Sequence, residues 1–219
     1  MKYNITIDGP AGAGKSTVAK KIATRLNMTY IDTGAMYRAI TLLAIQNRSD
    51  KNEEIIELAK KAYINFDGHK IYLNGENVSE EIRGLEVTNK VSQVAKIPEI
   101  REIMVDLQRK MAQKQCVVMD GRDVGSTVLP EAKYKFFLTA DLKERARRRY
   151  GELIKKGQVI TKAEIEKDIA LRDRQDQERK TSPLVIAPGA IIIDSTSKTI
   201  DEVVDEILDN IKRGGDIVL

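Results

Sequence analysis

Residues 3–26 read "YNITIDGPAGAGKSTVAKKIATRL". The opening "YNITID" (3–8) is short, apolar and β-rich, and "STVAKKIATRL" (16–26) spaces its apolar residues as a helix does. Between them, "GPAGAGKST" (9–17) holds three glycines, one lysine and two hydroxyls, with no aromatic or acidic group. A chain so bare lets consecutive backbone N–H groups converge on a bulky anion, and the following helix adds the positive end of its dipole. The string fits G-x-x-x-x-G-K-[ST] at Gly9, Gly14, Lys15 and Ser16, in strand–loop–helix order. The pattern assigns Gly9, Pro10, Ala11, Gly12, Ala13, Gly14, Lys15, Ser16 and Thr17 to the binding of ATP. Lys15 would reach the β- and γ-phosphates and the Ser16 hydroxyl would ligate Mg²⁺. A glycine-rich turn with an exposed lysine is the bland alternative, and the full motif in its strand–helix context argues against it. The glycines are not spaced G-x-G-x-x-G, which excludes a dinucleotide fingerprint.

Outward from the loop, composition sets bounds. A chain of 219 residues suits one domain with room for a small insert. Its 42% hydrophobic and 32% charged residues are those of a soluble globular protein. No apolar run approaches the roughly 18–20 residues of a membrane span. The pattern enters structure at once from the first residues, so no signal or transit peptide is expected and the expected compartment is the cytoplasm. Cys116, the single cysteine, lies in the strand-like "QCVVMD" and reads as a buried, reduced thiol. His69, the single histidine, lies in the turn-like "DGHK", which leaves little prospect of a histidine-based triad or metal site.

The apolar runs at 3–8, 28–32, 116–120, 134–140 and 190–194 are nearly continuous, as strands buried on both faces of a parallel sheet are. Helical patterns fill about 15–26, 35–47, 53–62, 98–114, 142–156, 162–180 and 199–213, with Pro98 suited to open its helix and Gly214 to stop the last. The alternation predicts an α/β fold with a five-stranded parallel sheet flanked by helices. Residues 62–84 break the rhythm: Asp67-Gly68 and Asn74-Gly75 between short alternating strands predict a small antiparallel insert.

The loop implies a nucleoside triphosphate and leaves the acceptor open. No guanine-reading N-K-x-D is present, since "NKVS" (89–92) lacks the aspartate. Residues 141–180 carry 13 basic and 9 acidic residues, a surplus of four that equals that of the whole chain. Arg145, Arg148 and Arg149 share one helical face, as do Arg172, Asp176 and Arg179; a solvated, salt-bridged helix is the alternative for both. Arg38 and Arg122 fall just beyond strand ends, where α/β proteins place ligands. That is more cation than one triphosphate needs. A hydroxyl acceptor would call for a carboxylate base, whereas a phosphate monoester, with a second pKa of roughly 6, is already ionised and calls for charge clamps. The pattern reads as a nucleoside monophosphate kinase.

"IDGPAGAGKST", "IDTGAMYR", "SQVAKIPEIR", "DGRDVG", "LRDRQD..R..SPL" and "IIIDST", in that order, closely resemble bacterial cytidylate kinases, with a likeness running from about residue 3 to 212. Thr33 stands where many members have serine, which keeps the hydroxyl. The resemblance implies transfer of the ATP γ-phosphate to CMP or dCMP. It implies that Arg38, Arg122 and Arg179, with Lys15, are catalytic, and that Thr33 belongs to the CMP site. Arg172 and Asp176 are implied at the ribose, and Ser92, Arg101 and Asp123 at the cytosine. It further implies a core at about 1–61, 112–141 and 182–213, a monophosphate-binding region at about 62–111, and a lid at about 142–181 whose Arg145, Arg148 and Arg149 close over ATP. Another small-molecule kinase of the same fold is one rival. A nucleic-acid-binding ATPase, prompted by the pI near 9.0 and "RARRR", is a second, and it is short of stacking aromatics, with three Phe, seven Tyr and no Trp. Small nucleotides are therefore the expected partners, with no nucleic acid or membrane, and a monomer is the default.

Overall fold

The computed structural model describes residues 3–155, 157 and 159–215. The chain runs β1 (Ile5–Asp8), α1 (Lys15–Arg25), β2 (Thr29–Asp32), α2 (Thr33–Gln46) and α3 (Asn52–Lys61). Then come β3 (Ile64–Asp67), β4 (Lys70–Leu73), β5 (Glu76–Asn77), α4 (Leu85–Val94), α5 (Pro98–Lys114) and β6 (Val117–Gly121). It closes with β7 (Tyr134–Thr139), α6 (Leu142–Lys155), α7 (Lys162–Glu178), β8 (Ile191–Asp194) and α8 (Ile200–Arg213).

Five strands form a parallel sheet in the order β2-β6-β1-β7-β8. Alternate residues of one strand feed opposite faces: Val117 and Met119 pack with α2, α3, α4 and α5, while Val118 packs with α1 and α8. β1 and β6 are buried on both sides and read as continuous apolar runs for that reason, whereas the edge strand β8, expected to be buried on both faces, leaves Ile191 and Ile192 exposed because no strand pairs beyond it. The chain goes from β1 to one side of the sheet and later to the other, so the crevice beyond the carboxyl ends of β1, β6 and β7 is the switch point.

Helix starts follow local chemistry. The Asp32 carboxylate accepts the Ala35 N–H at 2.8 Å to open α2, Pro98 opens α5, and reciprocal Thr–Glu caps open α7 (Thr161, Glu164) and α8 (Thr199, Glu202). The two glycine pairs at 67–68 and 74–75 turn β3 into β4 and β4 into β5, giving a three-stranded antiparallel sheet. Three elements were not anticipated: α4, a 3₁₀ turn at Glu81–Arg83 and a π-helical turn at Val124–Val128. The expected end of the α6 helix at 156 lies outside the described residues. Cys116 is half-buried rather than buried, because it sits one residue before β6, at the rim where the strand enters the sheet.

α8 buries Val203, Val204, Ile207, Leu208 and Ile211 in the apolar cluster formed with α1, β1 and β7. Ile207 is fully buried. Ile207→Ala should therefore lower stability by about 2–5 kcal/mol, and Tm by roughly 5–15 °C, while kcat at 25 °C stays within about twofold. Thermal unfolding and steady-state turnover check both.

Candidate active site

β1 ends at Asp8 and the glycine loop begins on its next residue. Gly9 has φ +148°, and a Cβ there would lie 2.0 Å from the Leu138 carbonyl oxygen, so β7 passes too close for any side chain. Lys15, the first residue of α1, is buried with its Nζ donating to the Pro10 carbonyl at 2.8 Å, so the ammonium closes the loop on itself. Burial and then Arg122 hold the Lys15 pKa well below its ordinary value. Gly12 and Thr17 are exposed on the loop.

Asp120, at the end of β6, joins three elements. Its Oδ2 accepts from Ser16 Oγ at 2.9 Å, its Oδ1 from the Tyr30 hydroxyl at 2.7 Å, and its carbonyl from Thr33 Oγ1 at 2.8 Å. Burial, then Asp32, push its carboxyl above the usual range. The Thr33 hydroxyl, expected in the acceptor site, is thus committed to backbone. Among the described residues no group of three or more His, Cys, Asp or Glu converges as a metal cage. A lone hydroxyl backed by a carboxylate suits Mg²⁺, a hard ion that keeps several waters and takes phosphate oxygens.

Beyond β6, charges alternate along a line. Arg101 Nη2 meets Asp123 Oδ2 at 2.5 Å, Asp123 Oδ1 meets Arg179 Nη2 at 3.2 Å, Arg179 Nη1 lies 3.6 Å from Asp176 Oδ1, and Asp176 Oδ2 accepts from Arg122 Nε at 2.8 Å. Arg101 is buried with its guanidinium over the Tyr37 ring at 5.2 Å. Arg38, in the second turn of α2 rather than at the strand end, donates to the Ile82 carbonyl at 3.2 Å and to Thr88 Oγ1 at 3.0 Å. Burial and then Arg172 bring its pKa down to about 10. Arg172 makes no hydrogen bond or ion pair among the described residues, and burial and then Arg122 lower its pKa too. Ser92 stands half-buried on α4, the helix that precedes α5 and its Arg101.

The structure divides the arginines of α6. Arg145 is buried under the loop, donating to the Ala140 carbonyl (2.9 Å), the Ala11 carbonyl (2.8 Å) and Asp173 Oδ2 (2.5 Å), while Asp173 Oδ1 accepts the Ala11 N–H at 3.0 Å. Its guanidinium is therefore committed to loop backbone instead of being presented to a ligand. Arg148 pairs with Glu144 (2.8 Å) and holds Ser195 through its carbonyl (2.6 Å) and hydroxyl (3.0 Å). Arg149 is half-buried and pairs with Glu152 at 3.0 Å.

Asp8, Tyr30, Asp120 and Asp173 escaped the sequence reading as site residues. One signal was available: β1, β2 and β8 end in Asp8, Asp32 and Asp194, and β6 places Asp120 one residue before its end. A carboxylate closing an apolar strand points at the crevice side of an α/β sheet.

A sequence model of the cytidylate kinase family matches residues 5–213. A cytidylate kinase of Caldanaerobacter subterraneus subsp. tengcongensis is 57% identical over 215 residues, covering 97% of this chain and 96% of its own. One of Alkaliphilus oremlandii is 57% identical over 210 residues, covering 95% and 97%, and one of Clostridioides difficile is 52% identical over 209 residues, covering 94% and 97%. The crystal structure of an uncharacterized protein from Eubacterium ventriosum ATCC 27560 shares the fold, with a TM-score of 0.54 at 15% identity over 97% of this chain and 99% of that one.

The Arg145–Asp173 clasp generates a test. Arg145→Met leaves Asp173 buried without its cation, which costs about 3–5 kcal/mol. Adding Asp173→Leu should recover most of that stability while ATP affinity remains weakened, because the Ala11 peptide loses both its partners. Thermal melts and ATP titrations read the two effects; a single variant that melts like the wild type would show that the clasp carries no load.

Proposed function

The chain belongs to the cytidylate kinase family, and from that premise we propose how its open face carries the reaction. The protein is an ATP-dependent nucleoside monophosphate kinase that converts CMP or dCMP to the diphosphate, with ADP as the second product, in pyrimidine nucleotide metabolism. One observation carries the residue-level reading: the crevice holds Arg38 and Arg172, neither paired with a carboxylate among the described residues, beside three arginines that share Asp123 and Asp176. That is a site short of negative charge, and an acceptor phosphate supplies it.

ATP lies on the loop from Gly9 to Thr17, and Lys15 exchanges the Pro10 carbonyl for the β- and γ-phosphates. Arg38, Arg122 and Arg179 hold the acceptor phosphate, whose ionised oxygen attacks the γ-phosphorus in line as the bond to the β-phosphate oxygen breaks. The acceptor needs no general base, because it carries no proton at that oxygen near pH 7. The cost of bringing two anions together is met by fixed guanidiniums that need no reorganisation. Asp176 retains acceptor lone pairs for a ribose hydroxyl beside Arg172, and Asp123 retains them for the cytosine amino group, with Arg101 and Ser92 alongside. Mg²⁺, when bound, supplies further neutralisation of the triphosphate; Ser16 would hold it, with Asp120 accepting from its waters.

Residues 62–111 serve as the acceptor-binding region and 142–181 as a lid over the core. Within the lid Arg149 reaches the transferring phosphate, Arg148 ties the lid to Ser195, and Arg145 holds the loop. The protein acts as a monomer on cytoplasmic nucleotides.

ADP release measured against CMP, dCMP, UMP, AMP and dTMP tests the reading. CMP and dCMP should lead in kcat/KM, and turnover should require Mg²⁺. Lys15→Ala should fold normally and lose on the order of 10²–10³ in kcat. Preference for AMP or dTMP, or a Lys15 variant keeping half its turnover, would overturn it.

A further inference from the structure

The pairing of β1 with β6 ends on the rung Asp8–Gly121. From that rung two functional segments depart together: Gly9 starts the ATP loop, and Arg122 and Asp123 start the segment facing the acceptor. The Asp8 side chain crosses between them. It is 2% exposed, its Oδ1 accepts the Val124 N–H at 2.9 Å, and its Oδ2 accepts the Gly125 N–H at 2.7 Å. These are the first two amides of the π-helical turn that follows Asp123. The backbone comes close here: a Cβ on Gly125 would lie 2.9 Å from Thr6 Oγ1 and 3.3 Å from Asp8 Oδ2.

Asp8 makes no ion pair among the described residues, and a buried carboxylate without a cation is costly. Burial pushes its carboxyl up to about 6, against the pull of the two amides. Asparagine would remove the charge at equal size, but it accepts through one oxygen only and would turn its NH₂ toward the second amide. Two backbone donors side by side are satisfied by a carboxylate and not by its amide. The arrangement therefore has a geometric product: it locks the Cα positions of Val124 and Gly125, and through them Arg122 and Asp123, to the residue that launches the ATP loop.

We propose that Asp8 is a positioning residue that sets the relative placement of the donor and acceptor phosphates. The proposal rests on the kinase reading above. Each nucleotide keeps its own contacts without Asp8; their alignment does not, and a displacement near 1 Å at the reacting centre costs about 10²-fold.

The test is Asp8→Asn, with CMP phosphorylation, ATP hydrolysis without acceptor, and equilibrium binding of ATP and of CMP measured on the same preparation. The expected result is a kcat for CMP lowered by about 10- to 100-fold with both binding constants within about threefold of wild type. The ratio of hydrolysis to transfer should rise about tenfold or more, because attacking water needs no alignment by the acceptor segment. A merely structural role would lower both reactions together and leave the ratio unmoved, which overturns the proposal; so does an unchanged kcat. If Asp8→Asn gives no cooperative melt, Gly125→Ala replaces it, since the added methyl meets Thr6 Oγ1 at 2.9 Å and Ala187 Cβ and Asp8 Oδ2 at 3.3 Å and so shifts the Gly125 amide against Asp8 without removing the carboxyl group. The same rise in ratio is expected there, and its absence overturns the proposal. A wild-type protein that fails to phosphorylate CMP would instead sink the kinase reading.

Discussion

Arg38, Arg172 and Arg122 stand in one cleft, and burial together with the next arginine in the series disfavours the charge on the first two. Holding like charges together out of water is unfavourable, and the structure limits it by alternating sign: Arg101, Asp123, Arg179, Asp176 and Arg122 form an unbroken line. Two carboxylates do not neutralise the whole group. In the proposed reading the excess is the binding site, because an anion entering the cleft relieves a repulsion that the folded chain already carries. Ligand binding and stability are then one quantity: saturation at 100 times Kd adds about 2.7 kcal/mol to the stability of the folded state. The fold contributes to this group of charges piecemeal, with α2 supplying Arg38, α5 Arg101, the segment after β6 Arg122 and Asp123, and α7 and its end Arg172, Asp176 and Arg179.

Local rules made part of this legible. The glycine loop carries its meaning within nine residues, since bare backbone, ammonium and hydroxyl are adjacent in the chain. The central strands β1 and β6 read correctly because burial on both faces leaves an apolar run, β8 reads as one although Ile191 and Ile192 are exposed, and seven helices fell within two residues of their predicted bounds wherever the residues are described. α4 did not: "LEVTNKVSQV" mixes β-branched residues with polar ones and opens at Gly84 without a side-chain cap, so no start signal precedes it. The helical face of Arg172, Asp176 and Arg179 followed from spacing, but the bond from Arg179 to Asp123 spans 56 residues and has no local signature. Arg145 shows the limit most sharply. Its helical register matched that of Arg148 and Arg149, yet the carbonyl of Ala11 lies 134 residues away and captures it beneath the loop.

That capture bears on how the two halves of the site communicate. Ala11 packs with Ala146, Leu153, Ile165 and Ile169 in a small apolar cluster separate from the two that sandwich the sheet. The α6–α7 hairpin reaches the body of the protein through the ATP loop, through Arg148 on Ser195, and through Asp176 on Arg122 and Arg179 on Asp123. Units with few buried apolar contacts open at lower free energy than the core they rest on. A hairpin that opened while still gripping Ala11 would draw on the peptide whose N–H and carbonyl are held by Asp173 and Arg145. Filling the loop with a triphosphate fixes that same peptide from the other side. In the proposed reading, occupancy of the loop and closure of the hairpin meet at the Ala11 peptide. Asp8 holds the other side of the crevice through the Val124 and Gly125 amides, so that both sides are referred to the two ends of one short segment, Asp8 to Ala11.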